Sequence, residues 1–366
     1  MVNLIWLFFK LGATSFGGPA AHIAMMEEEF VHRRKWLSRE KFLDLIALTN
    51  IIPGPNSTEL AIHIGYQQAG WWGFWFAGIS FILPAFLIVT AVSYFYTQYA
   101  SLPVVHDFLL GAKAVVLAVI VFAFERFFKS FLRIQKFNEV LQKDFWTQKQ
   151  NVVLLFVFVA SVYLKARGSS EVLILMTCGL MALFITGRFL LQKNELGSLF
   201  WVFFKIGSLL FGSGYVLLSF LQTEFVQNRA WLTEAQLFDA ISVGQFTPGP
   251  VFTTASFIGY LMHGFPGAVV ATLGIFLPAF LFVALSIPLY AKLNSSPKFR
   301  AILAGVVAGS LGLLLSTIWT FGESIVFSWI GIALFIVSLI LILKARIPTA
   351  VLILVGGLIS LISTKI

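Results

Sequence analysis

Charged residues and cysteines are scarce in this chain of 366 residues. Asp, Glu, Lys and Arg together make up 11% of it, whereas soluble domains contain about 25%. The single cysteine, Cys178, excludes an intrachain disulfide framework and a metal or redox site built from several thiols. Hydrophobic residues account for 59% of the chain and include 40 phenylalanines. This composition predicts an integral membrane protein whose helices face lipid.

Acidic residues are fewer than basic ones, 16 against 25, which gives a formal net charge of +9. In a membrane protein the excess Lys and Arg collect in cytoplasmic loops, so the charge does not indicate a nucleic-acid partner. The sequence also has no nucleotide-binding loop, no metal-ligand spacing and no Ser/His/Asp set in its usual context. We therefore expect no enzyme activity, no cofactor, no metal and no ATP drive within this chain.

The chain contains two related halves about 195 residues apart. The stretch from Trp6 to Gly17 returns from Trp201 to Gly212 with the same Phe-Phe-Lys sequence inside it. Pro-Gly-Pro at 53–55 returns at 248–250, and Leu-Pro-Ala-Phe at 83–86 returns at 277–280. We divide the chain accordingly into a first repeat, 1–190, and a second repeat, 191–366. Duplicated membrane units with helix-interrupting Gly and Pro at matching positions are typical of secondary transporters.

Each repeat is expected to contain about six hydrophobic segments. Two prolines around a glycine remove amide donors and disfavour helix in the preceding residues. The 14 residues from 39 to 52 span about 21 Å, which is short of the ~30 Å hydrocarbon core. Pro-Gly-Pro is therefore predicted to join two half-helices that dip into the membrane and return. The segments lie near 2–25, 42–66, 73–97, 104–128, 151–164 and 170–187, then near 198–221, 237–260, 266–290, 300–321, 325–343 and 347–363.

Loop charges indicate how the repeats are oriented. The loops 26–41 and 125–150 are rich in Lys and Arg, which the positive-inside rule makes cytoplasmic. A re-entrant Pro-Gly-Pro segment leaves each repeat with five crossings, so the two repeats must have inverted topology. The loop 222–236 should then be external, and it contains one Arg against two Glu. The expected fold is an all-α polytopic membrane protein with two inverted repeats and broken or re-entrant helices at the Pro-Gly-Pro and Gly-Gly motifs.

Several motifs together resemble those of one known family. They are Phe-Gly-Gly-Pro at 16–19, Pro-Gly-Pro-Asn-Ser-Thr-Glu at 53–59 and Ile-Gly-Tyr at 64–66. On these motifs the chain resembles the chromate ion transporter family in its two-domain form, over nearly its whole length except the linker around 125–150. The resemblance implies a multi-pass plasma-membrane transporter of oxyanions, commonly linked to chromate efflux and resistance. Sulfate is the chemically similar competitor.

The helix breaks are the first candidates for an oxyanion site. A half-helix N-terminus offers unpaired amide groups and a partial positive charge, and glycine lets an anion approach the backbone closely. Alternatively, these glycines only permit close helix packing. The candidate ligands are Gly17, Gly18, Gly54, Asn56, Ser57, Thr58, Gly212, Ser213, Gly249, Thr253 and Thr254.

Lys10 and Lys205 occupy matching positions in apolar helices, seven residues before a Gly-rich break. A lysine inside an apolar span is costly and indicates function by default. Two such lysines would neutralise a dianion from pseudo-symmetric sides. The alternative is that both side chains snorkel to the interface.

Glu59 and His63 lie four residues apart in the first repeat, where they would share one helical face and carry a coupling proton. The alternative is a cap-like glutamate and a hydrogen-bonded core histidine, and His22 has the same alternative. Arg34 with Asp44, and Arg229 with Asp239, are predicted to form an ion pair within each repeat. The structural prolines are Pro53, Pro55, Pro248 and Pro250.

The sequence therefore predicts a secondary transporter that moves chromate, in the efflux direction, around a midplane site. Two alternatives stay open: a proton-coupled importer of sulfate or another oxyanion, and a passive anion channel. The expected partners are the oxyanion and the lipid bilayer, and the choice between monomer and homodimer is left open.

Overall fold

Helices form all the regular structure that is described. A computed structural model describes residues 1–16, 18–49, 52–100, 102–141, 195–210, 216–294, 329–345 and 349–363, with single positions at 312, 315, 318 and 319. The helices are α1 (Val2–Thr14), α2 (Pro19–Glu27), α3 (Arg39–Thr49), α4 (Asn56–Tyr99), α5 (Pro103–Leu141), α6 (Glu195–Leu209), α7 (Leu217–Leu221), α8 (Glu234–Phe246), α9 (Thr254–Asn294), α10 (Trp329–Ile340) and α11 (Thr349–Ser363). The predicted segments 151–164, 170–187 and most of 300–321 lie outside the described residues.

Three of these helices are long and apolar enough to cross a membrane. They contain the stretches Asn56–Tyr99, Pro103–Glu125 and Val251–Ile287, with hydropathies of 2.2, 2.2 and 2.5. Exposed apolar side chains follow one face of α4 at four-residue spacing, at Trp75, Ile79, Leu83 and Leu87. A continuous exposed apolar stripe is stable only against lipid or another apolar surface. The chain is an α-helical membrane protein.

The starts of α3 and α8 follow from their capping residues. Ser38 Oγ accepts a hydrogen bond from the Lys41 amide at 3.2 Å. Thr233 Oγ1 accepts one from the Gln236 amide at 3.2 Å, and Gln236 Oε1 accepts one from the Thr233 amide at 3.0 Å. This reciprocal pair is a capping box, which satisfies two amides that the helix itself cannot. α3 ends at Thr49 and α8 ends at Phe246, four and two residues before the first proline of a Pro-Gly-Pro motif.

The long helix α4 reverses direction within its length. Ala69 and Gly70 leave the helical region, and Gly70 has φ +56°. A Cβ added to Gly65 would collide with the Gly73 carbonyl, and one added to Gly78 would meet Ile62. These contacts pair residues on opposite sides of positions 69–70, and the pair further from the turn in one arm is also further from it in the other, so the arms 56–68 and 71–99 pack antiparallel. The turn falls between the predicted segments 42–66 and 73–97.

The second repeat contains the same internal contacts as the first. The helix α9 reverses at His263 and Gly264, where φ is +59°, and small residues again allow the arms to pack closely. Phe8 lies 5.2 Å from Phe30 between ring centroids, and at the matching positions Phe203 lies 5.0 Å from Phe225. In each repeat the first helix therefore lies against the π-helical segment that precedes the arginine, which is Glu28–Arg33 in the first repeat and Gln222–Gln227 in the second.

The second arms of α4 and α9 pack against each other across the two repeats. The ring of Trp75 stacks on that of Phe280 at 5.2 Å, and Phe86 meets Phe265 at 6.2 Å. An early residue of each arm thus contacts a late residue of the other. The two arms, which are equivalent in sequence, run in opposite directions.

Candidate functional site

Chain breaks from the two repeats meet and bond to each other. The Gly54 amide donates to the Leu210 carbonyl at 2.6 Å, and the Gly249 amide donates to the Ser15 carbonyl at 2.9 Å. The two glycines are the centres of the Pro-Gly-Pro motifs, and the two acceptors stand at the ends of α6 and α1. We call Ser15, Gly54, Leu210 and Gly249 the junction. Its two bonds are reciprocal, since each repeat gives one donor and one acceptor.

Glycine is required at both Pro-Gly-Pro centres of the junction. Gly54 has φ +139° and Gly249 has φ +91°, which L side chains rarely adopt. A Cβ on Gly249 would lie 2.6 Å from Ala85 Cβ and 3.0 Å from the Gly12 carbonyl oxygen. One on Gly54 would collide with a carboxylate oxygen of Glu59. These contacts show the close packing that was the alternative interpretation of the two glycines, and both amides already have acceptors. A role of Gly54 or Gly249 in binding an anion stays a prediction.

Four buried side chains at or beside these breaks have polar atoms without a hydrogen-bond partner among the described residues. Two are hydroxyls, Ser15 Oγ and Thr58 Oγ1, and one is an amide donor, Gln245 Nε2. The fourth is the Glu59 carboxyl group, in which both oxygens are unpartnered. All four side chains are at most 5% exposed. Buried polar groups are nearly always hydrogen-bonded, so such a group calls for a further ligand.

His22 connects the two breaks of the first repeat. Its Nδ1 lies 3.1 Å from Ser57 Oγ, and its Nε2 lies 3.2 Å from the Ser15 carbonyl oxygen. The ring is 1% exposed and packs edge-on against Phe81. The prediction of a hydrogen-bonded core histidine is confirmed for His22. By holding Ser57 and Ser15 together, the ring fixes the first turn of α4 next to the end of α1.

The predicted hydroxyl donors of the second repeat are engaged by backbone carbonyls. Thr253 Oγ1 donates to Pro250 and Thr254 Oγ1 to Val251, both at 2.8 Å. The two half-sites are thus unequal, because the matching positions Thr58 and Glu59 have no such bond. Among the other candidates, Gly18 precedes α2 with φ +77° and Asn56 is half-buried at the start of α4. Gly17, Gly212 and Ser213 lie outside the described residues.

Sequence comparison identifies the family. The family model for chromate transporters matches residues 2–183 and 197–361. The chain belongs to the chromate transporter family. This confirms the resemblance drawn from the motifs, and membership makes the chain a membrane transporter and not an enzyme.

Several relatives are similar to this chain over most of its length. A probable chromate transport protein of Synechococcus elongatus is 30% identical over 335 residues, which cover 88% of this chain and 84% of the relative. A chromate transport protein of Cupriavidus metallidurans is 29% identical over 86% of this chain and 81% of its own. An uncharacterized transporter of Methanocaldococcus jannaschii is 28% identical over 94% and 90%, respectively. No solved structure matches the chain.

The two matching lysines have different surroundings. The Lys10 side chain is exposed on α1. Lys205 Nζ lies 2.7 Å from Glu224 Oε1, and Glu224 also pairs with Arg229. The charge of Lys205 is therefore engaged within its own repeat. A role of either lysine in holding an anion stays a prediction.

The predicted arginine–aspartate ion pairs are wrong for both arginines. Arg34 Nε bonds Glu29 Oε1 at 2.5 Å, and Arg229 bonds Glu224. The cause is the π-helical turn before each arginine, in which an amide bonds to the fifth residue back, so Arg34 and Glu29 stand side by side. Burial acts to raise the pKa of Glu29, but hydrogen bonds and charge from Arg34 and Arg33 outweigh it and hold that pKa below its usual value.

The two predicted aspartates also differ from each other. Asp44 is exposed, and its copy Asp239 is only 7% exposed. Asp239 Oδ2 accepts the Tyr96 hydroxyl at 2.8 Å, and Asp239 Oδ1 lies 2.9 Å from Lys113 Nζ. Tyr96 and Lys113 belong to the first repeat, so Asp239 ties α8 to α4 and α5. The ion pair thus links the two repeats and is not formed within one.

The sequence reasoning missed Ser15 and Gln245 as site candidates. Both flank a break: Ser15 comes directly before Phe-Gly-Gly, and Gln245 lies three residues before Pro248. Their position just before a helix break is the feature of the sequence that indicates them. A single sequence does not indicate that Lys113 contacts Asp239, because the two positions are 126 apart along the chain.

Proposed function

We propose that this protein is a secondary transporter that moves chromate out of the cell across the plasma membrane, with sulfate as a competing oxyanion. Chromate and sulfate share the tetrahedral dianion shape that a small set of hydrogen-bond donors can surround. The observation that carries the proposal is the junction, where breaks from both repeats meet beside buried donors without partners.

The anion ligands would be side-chain donors and a helix N-terminus. Ser15 Oγ, Thr58 Oγ1 and Gln245 Nε2 can each donate one hydrogen bond to an oxyanion. The arm 56–68 begins at the same place and adds the partial positive charge of its N-terminus. The Gly54 and Gly249 amides would position this site and would not bind the anion, since both bond to carbonyls. Lys10 and Lys205 would add attraction from further away.

A re-entrant Pro-Gly-Pro segment and inverted repeats are part of this proposal. Gln68 Nε2, at the end of the first arm of α4, donates to the Trp36 carbonyl at 3.4 Å, just before α3 begins. That contact brings the end of the first arm of α4 close to the start of α3. It supports a re-entrant segment that enters the membrane and returns to the side from which it entered.

A cleft at the far end of the second arm of α4 supports inversion. Tyr96 and Ala100 line it together with Trp231 and Gln236 of the second repeat. The loop 222–236 therefore stands at the opposite end of the arm 71–99 from the matching loop 26–41. Such repeats would rock around the junction during alternating access.

The membrane potential would be sufficient to drive export. An anion leaving a negative-inside cell gains about 2.3 kcal/mol per charge for each 100 mV, hence roughly 4.6 kcal/mol for a dianion. Import of the same dianion against this potential would need coupling to the downhill movement of another ion.

The test is chromate flux into proteoliposomes that contain purified variants. Each lost hydrogen bond to a charged group costs about 1.5–3 kcal/mol, so Thr58→Val and Ser15→Ala should weaken chromate binding roughly ten- to a hundredfold. Their melting temperatures should not fall, because neither hydroxyl has a hydrogen-bond partner to lose in the part of the chain that the structure describes. Ser93→Ala is the matched control, since that buried hydroxyl bonds only the Val89 carbonyl of its own helix. Equal chromate flux in all three variants would refute a site at the junction.

A further inference from the structure

Glu59 carries a buried carboxyl group for which the described chain provides no partner. Its side chain is 0% exposed, and neither oxygen has a hydrogen-bond partner among the described residues. None of the described Lys, Arg or His side chains forms an ion pair with it within 4.0 Å. An ionised carboxylate without a partner in such surroundings is among the most costly groups a protein can bury.

The Glu59 carboxyl group lies at the junction itself. Its Oε1 stands against Gly54, whose amide bonds to Leu210 of the second repeat. Thr58, one of the unpartnered donors, directly precedes it. In the second repeat the matching residue is Thr254, whose hydroxyl donates to the Val251 carbonyl at 2.8 Å. Among the described residues, the acidic site is therefore present in the first repeat, beside the proposed anion ligands, and not at the matching position of the second.

Two other ionisable groups near Glu59, both among the described residues, already have partners. His63, one helical turn after Glu59, has its Nε2 3.4 Å from Ser286 Oγ. His22 is held by Ser57 and by the Ser15 carbonyl. From the second repeat, Leu210 and Ala279 approach the Gly54 side of the site, and both are uncharged. The Glu59 carboxylate thus needs a ligand that neutralises its charge and is small enough to bind there without contact to a second side chain.

We propose that Glu59 binds a proton that travels with the oxyanion, an inference that rests on the proposed function. A proton added to one carboxylate oxygen removes the negative charge that opposes a dianion at the same junction. The O–H formed is also one more donor for the anion. Proton and oxyanion therefore bind together and leave together, so that one proton and one dianion cross with a net charge of −1. The membrane potential then assists export half as strongly as it would assist the bare dianion. Release of the proton restores the carboxylate.

The experiment measures chromate and proton entry together in proteoliposomes of the full chain. A pH-sensitive dye is trapped inside, the potential is clamped, and the medium is alkaline enough for chromate itself to stay a dianion. In the wild type, chromate entry should acidify the lumen with about one proton per chromate, and an exterior that is less alkaline than the lumen, within this alkaline range, should accelerate uptake several-fold. Glu59→Gln, which imitates the protonated side chain, should transport chromate under the potential without acidifying the lumen and without responding to the pH gradient. Glu40→Gln, at an exposed carboxyl group, is the matched control and should behave as wild type.

The outcomes separate this inference from the proposed function. Absence of chromate and sulfate flux in folded wild-type protein would overturn the proposed function. Chromate flux in the wild type without lumen acidification would overturn the Glu59 inference alone, whether or not Glu59→Gln folds. A folded Glu59→Gln variant that still acidifies the lumen would overturn it as well.

Discussion

The ion pair between Lys113 and Asp239 should be the strongest single polar tie between the two repeats. Their charged atoms lie 2.9 Å apart, and the side chains are 15% and 9% exposed. Tyr96 adds a hydrogen bond to the second carboxylate oxygen at 2.8 Å. The perturbation of choice is Asp239→Asn, which keeps the shape of the side chain and removes its charge.

The expected cost follows from the burial of both partners. Removing one member of a buried pair leaves the other charge unpaired, which costs about 3–5 kcal/mol. Partial access of Lys113 to solvent places the expected loss near the lower end, about 3 kcal/mol. Asp44→Asn is the matched control, because Asp44 is the copy of Asp239 in the first repeat and is exposed. A surface charge of this kind should change stability by less than about 0.5 kcal/mol.

The assay is thermal unfolding of the purified chain in detergent, followed by tryptophan fluorescence. At roughly 2 °C per kcal/mol, Asp239→Asn should lower the Tm by about 6 °C and Asp44→Asn by about 1 °C or less. The double variant Lys113→Met/Asp239→Asn should recover part of the loss, since neither charge is then left alone. Equal shifts for Asp239→Asn and Asp44→Asn, or strictly additive losses in the double variant, would refute the reasoning.

Two further pairs of variants test the packing at and around the junction. Gly249→Ala should prevent stable folding, because its Cβ would lie 2.6 Å from another Cβ at φ +91°. Gly70→Ala has open space around it and should cost only the backbone strain of φ +56°, about 1–3 kcal/mol. Expression and Tm measure both losses, and equal losses would contradict the packing account. Lys205→Met should lower the Tm, because the buried Glu224, which is 4% exposed, loses one of its two cationic partners. Lys10→Met should leave the Tm unchanged. A larger fall in Tm for Lys10→Met than for Lys205→Met would contradict the assigned pairing.

Much of the local structure could be predicted because it depends on neighbouring residues. Ser38 and Thr233 cap helices by bonds to amides three residues away, and Pro-Gly-Pro ends a helix by its own backbone chemistry. Because the two halves of the chain are related in sequence, a feature predicted in one repeat is also predicted at the matching position of the other. The family could be identified in the same way, since its motifs are short and contiguous.

The partners of charged and polar side chains could not be predicted, because they depend on packing between distant segments. Arg34 has both Asp44 and Glu29 nearby in sequence as possible partners. The π-helical turn places it beside Glu29, and this turn is not evident from the sequence. Asp239 pairs with a lysine of the other repeat. The junction itself joins Gly54 to Leu210, and no local pattern indicates that bond.

The central claim is tested most directly by the flux of labelled chromate through the wild-type protein in sealed proteoliposomes. An inside-positive potential should drive chromate uptake, reversal of the potential should drive its release, and excess sulfate should compete in both directions. Folded protein that moves neither chromate nor sulfate under any imposed potential would contradict the account.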